Sequence, residues 1–457
     1  MARPRPAAGT LRRSGALLAA ATLAANLLGY GLVVVLTRVL PVGPLGAVGS
    51  LVNLSVIGAV PALAVQLVVA RETARYLDAN GPGVRPMLRP VLALTGLVGA
   101  ALVVAGAALA PAAGAFLRLD GPLAPLLVAG ALPAATVVFA VQGVLQGAQR
   151  FGALSALFVV SAALRLAGGG IGGALGEGPV AVVAGLLVGT LFAAGAALLL
   201  LRTAARRPGP DAPGAEVPRA RRLLLAVGAS MVSTSGLLVL LNVDVLLARH
   251  VLPDDDSGLY AVGSLFTKAA FWGPAFVSTL LFARMSVPHA RARAVGLGVL
   301  LTGGLGAVVV AATALLAGPG VRTVAGRAYD GVAQDVWLFA ALGATLAVAQ
   351  VVLYARLAVG DQRLGAAAWV AGAGICVTVV RLLPAPGVDD VVRTALAGAV
   401  LLALVGLLAE RTALRSRLPR RGRTHVSRTD GSAADGSPTD RTDARGTPDL
   451  TAPAAGS

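Results

Sequence analysis

The sequence predicts an all-α integral membrane protein, with about twelve transmembrane helices in two like-oriented six-helix bundles around a central cavity. Three observations predict this class: the composition, the number of long apolar segments and an internal repeat. Of the 457 residues, 56% are hydrophobic and only 13% are charged, whereas soluble globular chains carry roughly 25% charged residues. The shortage of charge indicates that most of the surface faces lipid.

The apolar segments supply the transmembrane helices, because crossing a bilayer takes about 20 predominantly apolar residues. The first segment, after a basic N-terminus, is too long for a signal peptide and has no small-residue cleavage site, so we take it as a retained span. The run Gly168-Gly169-Gly170 obscures the end of the fifth segment. The twelve are Ser14–Leu36, Leu45–Ala70, Val91–Ala110, Leu123–Leu145, Phe151–Leu166, Val180–Leu201, Leu223–Leu247, Leu259–Phe282, Val295–Leu316, Val336–Val359, Leu364–Leu383 and Val391–Leu408.

The internal repeat relates the two halves of the chain. The sequence AVGSL occurs at 47–51 and again at 261–265, an offset of 214 residues. Pro61 recurs as Pro274, and QRFGA at 149–153 recurs as QRLGA at 362–366, both at an offset of 213. A repeat of half the chain length, with an even number of spans in each half, predicts two bundles of the same orientation. The two equivalent prolines should kink their helices.

Arginine placement predicts the topology, because loops on the cytoplasmic side of a membrane carry an excess of Lys and Arg. The arginine-rich segments predict that both termini lie on the cytoplasmic side of the cell (inner or plasma) membrane. We therefore expect a basic cytoplasmic N-terminus, a first bundle, a proline-rich cytoplasmic linker, a second bundle and a disordered tail. The start of the tail should contact anionic inner-leaflet lipids. These five regions are 1–13, 14–201, 202–222, 223–410 and 411–457.

Several classes of function are excluded by composition. The net charge is +17, but the arginines lie in short clusters between apolar segments and aromatic residues are only 4% of the chain, so we expect no nucleic-acid partner. The single cysteine, Cys376, has no partner for an internal disulfide, and the three histidines form no metal-ligand cluster. No phosphate-binding GxxxxGKS sequence is present. We expect no cofactor, no metal, no catalytic residue and a functional monomer.

Three segments resemble a known family. Leu36-Thr37-Arg38-Val39-Leu40-Pro41, followed by Gly46, resembles the first-loop signature of the polysaccharide-export flippases. Residues 242–247 (NVDVLL) with 258–261 (GLYA) resemble the family's seventh-to-eighth span junction, and Gln146-Gly147 with 150–152 (RFG) resembles its fourth-to-fifth junction. The resemblance covers roughly residues 14–410. It extends to the wider superfamily of multidrug/sodium antiporters and lipid II flippases.

The resemblance implies a mechanism and a cargo. Two six-helix bundles would rock around a central cavity to open it to one leaflet and then to the other. The cargo would be a saccharide linked to undecaprenyl diphosphate or to a similar lipid, moved from the inner to the outer leaflet.

Two charged residues inside spans are the leading candidates for the site, because charges at membrane depth usually face the protein interior or water. Lys268 is the only lysine of the chain and lies near mid-bilayer in the eighth span. It would hold a diphosphate or an acidic sugar; the alternatives are a buried ion pair with Asp244 or snorkelling to the interface. Asp244 would pair with Lys268 or Arg249, or bind a coupling cation.

The remaining candidates are polar residues related by the repeat and two arginines. Ser50 corresponds to Ser264 and Asn53 to Thr267, and the i, i+3 spacing places each pair on one helix face, towards the cavity or towards a neighbouring helix. The arginines that end the fifth and eleventh spans, Arg165 and Arg381, would lie at the cavity mouth or anchor the interface.

Three functions remain open on this sequence. A flippase for a lipid-linked saccharide fits the cationic residues and the near-absence of acids in the spans. A cation-coupled multidrug antiporter of the same superfamily needs a deep carboxylate, and the first span has none. A multi-span glycosyltransferase is disfavoured because the first outer loop contains no acid and the outer loops are short.

Overall fold

The structure, a computed structural model, describes residues 8–79, 83–176, 178–205, 217–218, 220–274, 277, 281, 285, 288–357, 361 and 363–416. Most of the predicted linker and nearly all of the predicted tail lie outside these ranges. Within them the chain is helical: the described residues form no β-strand. The first half contains α1 (Ala8–Val39), α2 (Val42–Gly58), α3 (Val60–Asp78), α4 (Arg85–Phe116), α5 (Leu123–Gly147), α6 (Phe151–Leu175) and α7 (Pro179–Ala205).

The second half repeats this order. It contains α8 (Ala220–Val251), α9 (Asp254–Trp272), α10 (Pro288–Leu315), α11 (Ala317–Val324), a 3₁₀ helix (Arg327–Asp335), α12 (Val336–Leu357), α13 (Arg363–Val377), a π-helical turn (Thr378–Leu382) and α14 (Val388–Ser416). In the part of the chain that the structure describes, ten helices are long and apolar enough to cross a membrane. Helices α8 and α9 occupy the seventh and eighth predicted spans. The predicted all-α membrane fold is confirmed.

The helix contacts also repeat between the halves. Helix α1 packs on α6, and its equivalent α8 packs on α13. In the same way α4 packs on α5 and α10 on α12. The duplication in the sequence is therefore present in the packing of the helices.

Both equivalent prolines lie at helix interruptions. Helix α2 ends at Gly58 and α3 begins at Val60, so that Pro61 lies in the first turn of the new helix. Helix α9 ends at Trp272, two residues before Pro274. Proline has no N–H to donate and clashes with the preceding turn, which explains both interruptions.

The fifth span is longer than predicted, because α6 continues through Gly168-Gly169-Gly170 to Leu175. These glycines are a packing surface for α7. A Cβ on Gly185 of α7 would lie 2.8 Å from the carbonyl carbon of Gly168, so only glycine allows the two backbones to come this close.

The bundle has two different ends. We call the end where α1, α4 and α8 finish and α2 and α9 begin the Arg249 end. The opposite end, where α10 begins and α14 finishes, is the Arg291 end. Near the Arg249 end, first-half residues such as Leu36 and Leu45 belong to the same apolar core as the second half. Towards the Arg291 end, α10 and α12 have a core separate from that of the first half, whereas the first turns of α8, with Leu223 and Val227, pack in the core of the first half.

Candidate functional site

A cavity of about 320 Å³ lies between the two halves. Helices α1, α2 and α6 line it from the first half, and α8 and α9 line it from the second half. None of the described residues in its walls is Asp or Glu. Its polar lining residues are Asn26, Tyr30, Asn53, Arg165, Asn242, Ser264 and Lys268.

Lys268 reaches across the cavity to the other half of the chain. Its Nζ donates a hydrogen bond of 2.6 Å to Oδ1 of Asn53. The Asn53 amide is held in place by its own Nδ2, which donates to the carbonyl of Gly49 at 2.7 Å. An ammonium carries three donors, so the bond to Asn53 leaves Lys268 with donors for a further acceptor in the cavity.

Asp244 does not form the predicted ion pair with Lys268 or with Arg249. Its Oδ2 accepts a hydrogen bond of 3.0 Å from the hydroxyl of Tyr260. Its Oδ1 is buried and has no hydrogen-bond partner among the described residues. Asp244 is only 2% exposed and does not line the cavity. The two charges still interact through space, but they form no direct ion pair: the ammonium contacts Asn53, and the carboxylate accepts from Tyr260.

Arg165 lies inside its span and not at the end. At a helical rise of about 1.5 Å per residue, it is about 21 Å from the start of α6 and about 15 Å from its end. The prediction that it ends the fifth span is wrong because the glycine run does not stop the helix. Arg165 lines the cavity, and its guanidinium has no hydrogen-bond or ion-pair partner among the residues that the structure describes.

Four of the eight predicted residues line the cavity and four do not. Lys268, Ser264, Asn53 and Arg165 line it. Ser50 is fully buried and its hydroxyl donates to the carbonyl of Ala47. Thr267 lies against α12, where its carbonyl carbon would be 2.8 Å from a Cβ on Gly343. Arg381 is exposed in the π-helical turn, away from the cavity.

Tyr30 and Asn242 are cavity residues that the sequence analysis did not select. The Tyr30 hydroxyl is buried and has no hydrogen-bond partner in the described part of the structure. Tyr30 lies four residues after Asn26 on α1, so both residues belong to one helix face. This polar pair in the first span was the signal in the sequence that could have identified Tyr30.

The Arg249 end is closed by polar contacts between the halves, which we call the clasp (Arg118, Arg249 and Asp254). Nε of Arg249 donates to the carbonyl of Leu117 at 3.0 Å, and Nε of Arg118 donates to the carbonyl of Arg249 at 3.0 Å. Asp254 pairs with both arginines, at 2.9 Å from Arg249 and 3.3 Å from Arg118. Beside the clasp, Nη2 of Arg38 donates to the carbonyl of Thr323 at 3.1 Å.

Helices α2 and α9 meet at the same end through small residues. A Cβ on Gly46 would lie 2.8 Å from the backbone nitrogen of Gly258. One turn further along, a Cβ on Gly49 would lie 2.8 Å from the Cβ of Ala261. The two helices therefore pack backbone to backbone, which excludes a passage between them at this end.

A buried ion pair lies at the opposite end, within the second half. Arg291 of α10 donates from Nε and Nη2 to the two carboxylate oxygens of Glu410 at 2.7 and 2.6 Å. Both side chains are only 3% exposed. This pair joins the start of α10 to the last turns of α14, and it does not involve the first half.

Comparison with known proteins identifies the fold. No model of a protein family matches this sequence, and no curated protein matches it. Among solved structures, a multidrug resistance MATE family transporter of the MOP superfamily in an inward-facing conformation is similar at a TM-score of 0.68 and 13% identity, over 85% of this chain and 94% of that one. An outward-facing structure of such a transporter gives a TM-score of 0.60 at 15% identity, over 91% and 97%.

A lipid flippase has the same fold. The lipid II flippase MurJ in an inward closed conformation gives a TM-score of 0.63 at 12% identity, over 86% of this chain and 87% of that chain. At such identities the likeness extends to the fold alone. The chain therefore has the fold of MOP superfamily transporters.

Proposed function

We propose that this protein is a membrane transporter that flips a lipid-linked saccharide of the polyprenyl-diphosphate type from the inner to the outer leaflet by alternating access. The observation that carries the proposal is the charge of the cavity: Lys268 and Arg165 face it from opposite halves, and none of its described lining residues is acidic. Two cations at membrane depth are costly, and the buried acid that interacts with Lys268, Asp244, does not line the cavity. The diphosphate of a lipid carrier would supply negative charge within the cavity itself.

The proposed orientation places the Arg249 end outside and the Arg291 end in the cytoplasm. Arg71 and Arg75 in α3, Arg85 and Arg89 at the start of α4, and the basic start of the tail would then lie on the cytoplasmic side, as the excess of positive charge there requires. The closed clasp and the separate cores at the Arg291 end support a cytoplasm-facing conformation. The higher TM-score to the inward-facing transporter than to the outward-facing one supports it as well.

The rest of the proposal follows the sequence analysis. The protein would lie in the cell membrane as a non-enzymatic monomer, in two bundles of residues 14–201 and 223–410, with both termini in the cytoplasm. The linker of residues 202–222 would be cytoplasmic, and the start of the tail would lie near anionic inner-leaflet lipids.

The second candidate is a cation-coupled multidrug antiporter, and Asp244 favours it. A buried carboxylate with one unpartnered oxygen is a suitable site for a proton or a sodium ion. Its position outside the cavity walls makes it less suitable for binding a cationic drug. The glycosyltransferase has less support, because Asp254, from the acidic triplet 254–256, is engaged in the clasp.

The test measures translocation of a fluorescent polyprenyl-diphosphate sugar in vesicles that contain the purified full chain. Removal of a charge-assisted hydrogen bond costs about 1.5–3 kcal/mol, so Lys268→Ala and Arg165→Ala should each lower the rate about 10- to 100-fold. Arg381→Ala, which removes an exposed arginine away from the cavity, is the matched control and should transport at the wild-type rate.

The same vesicles separate the two candidates. A gradient-driven efflux of a cationic dye that Asp244→Asn abolishes, together with no movement of the lipid-linked sugar by the wild type, would establish the antiporter and reject the flippase. Wild-type rates in both cavity variants would also reject the flippase.

A further inference from the structure

We propose that the hydrogen bond between Asn53 and Lys268 is a catch that holds the two halves together and that an anionic group of the cargo releases. The inference rests on the proposed function for the nature of the ligand, a phosphate or diphosphate. It adds a task for Asn53, which positions the Lys268 ammonium in the empty cavity and gives it up when the anion enters.

The bond is placed where a catch between the halves would act. Asn53 belongs to α2 and Lys268 to α9, the two helices that start together at the Arg249 end. Among the residues described in these two helices, this is the one side chain–side chain hydrogen bond that joins them. It lies beyond the close contact of Gly49 with Ala261, and shortly after it both helices are interrupted, beside Pro61 and Pro274.

The geometry keeps Asn53 ready to hold the ammonium. Because Nδ2 of Asn53 donates to the carbonyl of Gly49 within its own helix, its Oδ1 is turned to α9. The carbonyl oxygen of an amide is a neutral acceptor. An anion can first bind the spare donors of the Lys268 ammonium. Its negative charge then attracts the ammonium by a Coulomb force that the neutral amide oxygen does not exert, so the ammonium would move into the cavity and leave Oδ1 of Asn53.

The exchange couples ligand binding to opening. When Lys268 turns to the anion, the polar bond between α2 and α9 is lost, while the hydrogen bond of Asn53 to Gly49 remains. The Arg249 end is then held by the glycine packing, the clasp, the hydrogen bond of Arg38 to Thr323 and the shared apolar core. An aspartate in place of Asn53 would compete with the anion as a charged acceptor and would keep the catch closed.

The experiment measures the distance between the halves at the Arg249 end by electron spin resonance. The full chain carries Cys376→Ala, which removes its only cysteine, and spin labels at Ala115→Cys and Ala328→Cys, two exposed positions on opposite halves. The protein is placed in lipid nanodiscs, so that inorganic pyrophosphate, the probe, reaches both sides. Binding of pyrophosphate is measured separately by calorimetry.

The inference makes four expectations. Pyrophosphate shifts the wild type towards a longer distance. Without any ligand, Asn53→Ala populates the longer distance at least threefold more than the wild type. Asn53→Asp stays at the short distance and binds pyrophosphate at least tenfold more weakly than the wild type. Ser55→Ala, which removes a hydroxyl bonded only within α2, behaves as the wild type.

The outcomes distinguish this inference from the proposed function. If the wild type binds pyrophosphate and the unliganded Asn53→Ala variant keeps the wild-type distance, the catch is overturned while the anion site stands. If the wild type does not bind pyrophosphate, release by an anion is overturned together with the flippase assignment. A Ser55→Ala shift equal to that of Asn53→Ala would also overturn the catch, because it would assign the effect to any loss of polarity in α2.

Discussion

Gly46→Ala should force open the contact between α2 and α9. The added Cβ would lie 2.8 Å from the backbone nitrogen of Gly258 and 2.8 Å from the carbonyl carbon of Ser257. The hydroxyl of Ser257 is already engaged by the carbonyl of Asp254 and by Arg249. Since the obstructing atoms include backbone, a rotamer change cannot remove the overlap, and one helix must move away from the other.

The size of the effect follows from the cost of overpacking. Extra methyl groups in a well-packed contact cost about 1–3 kcal/mol, which corresponds to about a 5- to 150-fold shift away from the closed conformation. Replacing glycine with alanine also stabilises a helix by up to about 1 kcal/mol, because alanine has the higher helix propensity. That gain is present in both conformations if α2 stays helical, so it cancels in the equilibrium between them.

The distance between spin labels at positions 115 and 328 measures this shift directly. Gly46→Ala should populate the longer distance without ligand, and Gly258→Ala should act in the same direction, because its Cβ would lie 2.8 Å from the carbonyl carbon of Val42. Gly96→Ala in α4 is the control, since no atom lies within 4 Å of the added Cβ. A wild-type distance distribution in Gly46→Ala would refute the backbone-to-backbone contact.

Three further changes test other contacts of the structure. Arg249→Ala removes the central side chain of the clasp and should shift the same label distance towards opening about tenfold or more, since hydrogen bonds of charged groups contribute about 1.5–3 kcal/mol. Gly185→Val should lower the thermal stability in detergent by at least about 1–3 kcal/mol, because its Cβ overlaps Gly168 of α6. Glu410→Ala should cost about 3–5 kcal/mol of stability, because it leaves the charge of Arg291 buried and unpaired.

Each of these changes has a control. Arg322→Ala removes an exposed ion pair with Asp330 and should leave the label distance unchanged. Gly195→Val lies on the same helix as Gly185 but has no atom within 4 Å of its Cβ, so it should not lower stability. The double variant Arg291→Leu, Glu410→Leu removes both buried charges and should be more stable than Glu410→Ala; the reverse order would contradict the account of the buried pair.

The helices could be predicted from the sequence because lipid imposes one strong requirement, a long apolar segment with every backbone group bonded internally. Every predicted span corresponds to helix in the described residues. The ends were less predictable. Glycine weakens helices in water, yet the run at 168–170 lies inside α6. These glycines allow α6 to pack closely on α7, and that contact cannot be recognised from the α6 sequence alone.

The site was only half predictable, for a geometric reason. The repeat indicates which residues are equivalent, but not which face of each helix meets the cavity. On α2 the lining residues include Leu45, Val48, Gly49, Val52 and Asn53, whereas on α9 they include Ala261, Ser264, Leu265 and Lys268. In the register of the repeat these are different faces, so Ser50 and Thr267 point away from the cavity while Ser264 and Asn53 line it.

The two cations of the cavity, Arg165 and Lys268, belong to different halves of the chain. Arg165 is fixed to α6, which packs on α1 and α7 in the first half, whereas Lys268 is fixed to α9, which packs on α12 in the second half. A motion that separates the two halves at the cavity would therefore change the distance between the two cations. A ligand shifts a conformational equilibrium only through unequal affinity for the two states. A single charge on Lys268 can act only through the bond to Asn53. A ligand with two linked negative charges can also contact Arg165 and respond to the separation of the two cations, so a diphosphate would select one conformation more strongly than a monophosphate.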